Sequence, residues 1–256
     1  MEQHTPMVLL EQDGPAVAVA PDSQGRVMTS TVDRTPGAGV GGMNRPVIEK
    51  GLRSEEERAG TLEAHIYICG GEERFWLGPE GGQFGLYFEP GSRFEFSDWR
   101  TPAVIDTEPF ELVQQSKTSA TFKRDCELTN YSGTRFTMGI ERTVRILDAA
   151  TVATVIDFDV SDAIRLVAYE TDNRITNQGI HAWTAETGLP SIWILGMYNP
   201  SPMTTVVIPF RAGDESELGP KVNDTYFGKV PADYLTVEDD VLYFKGDGTR
   251  LSLINI

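Results

Sequence analysis

Apolar and polar residues alternate most cleanly from Thr134 to Ile146. There Phe136, Met138, Ile140, Val144 and Ile146 interleave with Arg135, Thr137, Glu141, Thr143 and Arg145. A period of two sets successive side chains on opposite faces of a strand, so this stretch predicts a strand with one buried face. Arg142 falls on the apolar face. An inward guanidinium needs an ion-pair partner or a polar cavity, which leaves a structural ion pair and a ligand contact as its two readings. Shorter runs predict strands over 8–10, 16–20, 26–32, 84–88, 110–114, 120–128, 164–176, 191–197, 204–210, 241–245 and 251–256. In the N-terminal part they are punctuated by Asp-Gly and Pro-Asp-Ser-Gln-Gly turn signals. Residues 148–158 lack alternation and read as a short helix, and Ser54–Arg58 as one helical turn. Residues 36–60, Gly-rich and then charged, read as an excursion over the surface. Strand–turn units without a βαβ rhythm imply a mainly β fold, a sandwich or two-sheet stack forming a single domain over 1–256.

Size and charge narrow the function classes. With 256 residues the chain can bury a sizeable core. The formal net charge of −16 disfavours phosphate backbones and anionic membrane surfaces, so neither nucleic acid nor membrane is expected as a partner. Histidines stand only at positions 4, 65 and 181, and Cys69 and Cys126 have no metal-type spacing. No metal and no cofactor is expected, and buried free thiols are the expected state of the cysteines. The N-terminal residues lack a basic and then apolar leader pattern, which reads as cytoplasmic as written and as periplasmic or secreted if a leader has been removed.

The densest chemistry lies in 70–84, GGEERFWLGPEGGQF. Glycines allow close backbone approach to a ligand. Carboxylates and an Arg beside a Trp offer forked hydrogen bonds to hydroxyls and an apolar plane for a sugar C–H face. The candidate ligand-binding residues are therefore Glu72, Glu73, Arg74, Trp76 and Arg142. Alternation places Glu170 and Asp172 together on one face of another strand, so they join the set. Arg74, flanked by apolar residues, needs a carboxylate, with Glu72 or Glu80 as the candidates. Against each functional role stands a structural one: Trp76 between Phe75 and Leu77 also fits a packed core.

The segments GGEERFWLGPEGGQFGLYF (70–88), LTNYSG (128–133), YETDNRITNQG (169–179), SIWILGMYNPSPMTTVVIPF (191–210) and TYFGKVPADY (225–234) resemble an uncharacterised bacterial protein family placed near the galactose-mutarotase-like proteins. The resemblance implies an antiparallel β-supersandwich with a carbohydrate-sized cleft on one concave sheet. The wider superfamily opens sugar rings with a Glu base and a His acid. Here Tyr198, in Leu195-Gly196-Met197-Tyr198-Asn199-Pro200, stands near the place of that His. The chain stops at 251–256 within a strand pattern, so the expected supersandwich is incomplete at its C-terminus.

Three readings follow. The first is a carbohydrate-binding protein that holds a small carbohydrate in a cleft lined by the Gly-rich loop 70–84, as a monomer or weak homo-oligomer. The second is an aldose-epimerase-like enzyme, with Glu80 as carboxylate base and Tyr198 as acid. The third is a structural or partner-binding β protein. The missing His favours the first over the second, and the crowding of Glu, Arg and Trp in one segment favours both over the third.

Overall fold

In the computed structural model, residues 5–34, 39–157, 160–161, 163–224 and 228–249 are described. The chain divides into two compact units, Met1–Tyr198 and Asn199–Ile256. The first begins with three antiparallel strands, β1 (Val8–Glu11), β2 (Ala16–Ala20) and β3 (Arg26–Thr31). The surface excursion follows and contains α1 (Arg45–Lys50) and α2 (Glu55–Arg58). The chain then returns as β4 (Glu73–Gly78), and continues through β5 (Glu111–Gln115), β6 (Ser119–Thr129), β7 (Arg135–Leu147), α3 (Ala149–Ile156), β8 (Ala168–Asn177) and β9 (Ser191–Gly196).

Two antiparallel sheets result, ordered β1-β2-β3-β4-β9 and β5-β6-β7-β8. Their facing residues form one core. Val8, Leu10, Val17, Val19, Val27, Phe75 and Leu77 come from the first sheet, and Phe122, Phe136, Met138, Ile140, Val144 and Ile146 from the second. The alternation along β7 thus produces its buried face. Arg142 is on that face and fully buried. Its Nη2 donates to Glu73 of β4 (2.6 Å), its Nε to the Gly25 carbonyl (2.9 Å) and its Nη1 to Asn173 of β8 (2.6 Å). It ties the two sheets together, and its charge is paired as an interior charge must be.

A second apolar cluster, Ala20, Met28, Val47, Ile48 and Cys69, lies under α1. Residues 39–70 therefore supply an outer layer on part of the five-stranded sheet. Pro46 opens α1, where a missing N–H costs nothing. Ser54 and Glu57 close a reciprocal capping box on α2, the predicted helical turn.

The second unit holds β10 (Thr205–Pro209), α4 (Glu215–Leu218), β11 (Leu235–Val237) and β12 (Val241–Lys245). Its sheet is antiparallel, ordered β10-β12-β11.

Two sequence expectations are corrected. The stretch 70–84 is not one loop: residues 73–78 form a central strand buried along its whole length. Conversely, 84–88 is not a strand but turns and bends. Gly82, at φ +79°, takes the chain into a turn in which Gly85 N donates to Gly82 O and Leu86 N to Pro79 O. Cys69 and Cys126 are both free. The predicted strand over 251–256 lies outside the described residues.

Candidate functional site

A cavity of about 460 Å³ opens in the outer layer of the first unit, within the usual range for small-molecule sites. Arg58, from the last turn of α2, lines it together with Glu55, His65, Arg100, Thr101, Asp106 and Thr107. Backbone bonds hold these segments in place: Arg100 N donates to Tyr87 O and Thr101 N to His65 O, both at 2.9 Å. Arg100 Nη1 donates to the carbonyls of Ser97 (2.8 Å) and Trp99 (2.7 Å) and lies 2.5 Å from His65 Nδ1. Arg58 Nη1 donates to the Glu63 carbonyl. Thr101 is only 8 % exposed, and its Oγ1, like Arg58 Nε, is buried without a hydrogen-bond partner. Phe96 is 60 % exposed and stacks on the His65 ring at 4.5 Å between centroids. An exposed aromatic plane therefore adjoins a cavity rich in donors.

Asp106 forms part of the cavity wall and is anchored from behind. Tyr67 N donates to both its carboxylate oxygens (2.9 and 3.1 Å), and Arg74 of β4 forms a buried ion pair with it. Asp106, rather than Glu72 or Glu80, is thus the carboxylate that Arg74 required. Burial, helped by the charge of Arg26, pushes the Arg74 guanidinium down to about 10, and Asp106 opposes the shift. Its guanidinium also lies 4.3 Å over the Trp76 ring.

A second polar cluster joins β3, β4, β8 and the end of β9. Glu72, 2 % exposed, accepts from Ser30 N (2.5 Å) and Ser30 Oγ (2.8 Å). Tyr169 also hydrogen-bonds Glu72, and bonds in turn to Tyr198, which is 49 % exposed. The chain Glu72–Tyr169–Tyr198 runs from the interior to solvent. Burial raises the Glu72 carboxyl above the usual glutamate value against the hydrogen bonds from Ser30 and Tyr169, with Glu73 adding to the rise. Tyr198 is raised by burial and by the Glu72 charge.

The residues singled out in the sequence are dispersed. Glu73 and Arg142 pair across the core, and Trp76 packs within it against Tyr87, Trp99 and Trp193. Glu170 and Asp172 do share the exposed face of β8, where they pair with Arg145 and Arg174. Tyr169, Thr171 and Asn173 occupy the opposite, half-buried face. Glu80 and Tyr198 are not brought together. The β4–β9 ladder matches Glu73 with Gly196 and Gly78 with Ser191, so Tyr198 follows one end and Glu80 the other, about 20 Å apart along the strand. The cavity residues Arg58, His65, Arg100 and Thr101, and the adjoining Phe96, were missed as a group. They come from three separate segments, and the only sequence signals were the Ser54 capping box and the aromatic-rich 94–100 loop. Among the described residues no cluster of three or more His, Cys, Asp or Glu is placed to hold a metal, and no helix is long and apolar enough to cross a membrane.

No curated protein and no solved structure matches the chain. A family model does match over residues 1–256, and the chain accordingly belongs to the Family of unknown function (DUF6786).

Proposed function

We propose that this protein binds a small carbohydrate, on a framework of the mutarotase-like supersandwich type, and that the ligand occupies the cavity lined by Arg58, His65, Arg100 and Thr101. One observation carries this reading: a cavity lined by the guanidinium groups of Arg58 and Arg100 adjoins an exposed ring, Phe96, stacked on the lining residue His65. Sugars need that combination, forked donors for hydroxyls and an apolar plane for C–H groups. The proposed site lies not in 70–84 but in the layer outside β4, and Arg74 holds its wall through Asp106.

The epimerase-like alternative draws on a different place. A buried carboxyl with a raised proton affinity, linked through Tyr169 to a half-exposed phenol, is suited to move a proton. In that reading Glu72 takes the role first given to Glu80.

A thermal-shift panel of monosaccharides, disaccharides and uronic acids tests the proposal on wild type and Phe96→Ala. The expected result is a raised melting temperature with one sugar class that the variant loses, since a ligand bound only by the native state stabilises it by mass action. Anomer exchange, followed on that sugar, separates the enzyme from the binding protein. A cooperative melt unmoved by every sugar favours the structural reading instead.

A further inference from the structure

Arginines in this chain are mostly taken up by carboxylates: Arg34, Arg53, Arg74, Arg93, Arg142 and Arg145 are among those in ion pairs. Among the described residues Arg58, half-buried, and Arg100, exposed, are exceptions, as are Arg26, Arg45 and Arg211. None of these five lies in an ion pair among the described residues, although acidic residues outnumber basic ones by 38 to 22. The hydrogen bonds of Arg58 and Arg100 go to the carbonyls of Glu63, Ser97 and Trp99, with His65 Nδ1 beside Arg100. Both line the same cavity. Neutral acceptors satisfy N–H groups without compensating the charge. The Asp106 carboxylate does not compensate it either, being neutralised from behind by Arg74. Glu55, in the exposed first turn of α2, is the one other lining carboxylate.

We infer that the cavity takes a ligand bearing a carboxylate, held between Arg58 and Arg100. The inference rests on the carbohydrate reading and narrows it to acidic sugars of the uronate class. A guanidinium is the side chain best shaped for a carboxylate, which it can hold through two parallel hydrogen bonds. A dianionic phosphate suits the site less well, because Glu55 and Asp106 share its walls.

The test is calorimetric titration of the full chain with glucuronate and galacturonate, their neutral parents glucose and galactose, and lactate as a carboxylate without a ring. Wild type is compared with Arg100→Gln, Arg58→Gln and, as a charge control, Lys123→Gln at an exposed position of β6. Melting curves confirm that each variant folds. The expected result is uronate binding weakened about 10- to 100-fold by either cavity variant and unchanged by the Lys123 variant, with the neutral parents bound far more weakly. Equal binding of uronates and neutral parents overturns the inference and leaves the carbohydrate reading standing. Binding of lactate as tightly as uronate, lost in Arg100→Gln, supports the carboxylate site and removes the sugar. Binding of none of the five overturns the inference and, where the disaccharides are silent too, the carbohydrate reading with it; uronate binding that Lys123→Gln weakens as much as the cavity variants do overturns the inference alone.

Discussion

Glu72 and Arg142 are both buried and ionisable, but the protein treats them differently. Arg142 has its charge matched by Glu73 and its other donors satisfied. Glu72 has hydrogen-bond donors around it, yet no cation forms an ion pair with it among the described residues, and burial raises its proton affinity. A carboxyl raised on folding binds more protons in the native than in the unfolded state between its ordinary and its folded pKa. Stability there falls as pH rises. The contribution is fully present below the ordinary glutamate value and is lost as pH climbs through the raised one. Glu72→Gln stays neutral and keeps an acceptor for Ser30 N. The expected outcome is that the variant gains stability over wild type as pH rises above the usual glutamate value of about 4.3, until the raised carboxyl has ionised. Urea denaturation at a series of pH values measures this, and parallel curves would show that the Glu72 charge is not desolvated in the native state.

At the scale of elements, packing decides what local pattern cannot. Gly25, at φ +62°, precedes β3, and a Cβ built there meets the Phe122 ring at 2.6 Å. Its carbonyl accepts the Arg142 bond, so one residue lies against both sheets. Gly25→Ala is expected to cost about 2–4 kcal/mol, from the left-handed backbone and the displaced core ring together. A lower denaturant midpoint at constant slope would measure it. A cost below about 0.5 kcal/mol, the usual range for surface changes, would mean that Phe122 has room to move. The same scale explains what was legible in the sequence. The β7 alternation gave its buried face and the inward Arg142, because period two survives in a strand with one face on the core. It failed for β4, since a central strand flanked by β3 and β9 and covered on both faces has no alternation to show. Phe84–Phe88 looked like a strand by composition, but Gly82 and Gly85 fold it into turns. The cavity could not be read because it is assembled by tertiary packing: Arg100, on the 99–107 segment, lies 35 residues from His65. The Arg74 partner Asp106, 32 residues away, was hidden for the same reason.

For the whole chain the dominant electrostatic fact is the net charge of −16. Two effects oppose each other when salt is added. Exposed pairs such as Lys123–Glu141, Arg145–Glu170 and Arg174–Asp172 lose attraction, but each is worth only about 0–1 kcal/mol. Repulsion among the excess carboxylates is also screened, and it acts over many pairs at separations near the Debye length of about 10 Å at 0.1 M. The interior Arg142–Glu73 and Arg74–Asp106 pairs are removed from the ionic atmosphere and change little. Repulsion should therefore dominate. Raising sodium chloride from 10 to about 200 mM is expected to stabilise the protein by about 1 kcal/mol, or about 2–4 °C in melting temperature. Tryptophan fluorescence is the fitting probe, because all four tryptophans, Trp76, Trp99, Trp183 and Trp193, lie in the Met1–Tyr198 unit, so the signal follows one cooperative body. A melting temperature that falls with salt would mean that the surface pairs outweigh the net charge. The carboxylate site should respond in the opposite sense, with uronate affinity falling over the same salt range while stability rises, because attraction at Arg58 and Arg100 is screened as the repulsion elsewhere is relieved.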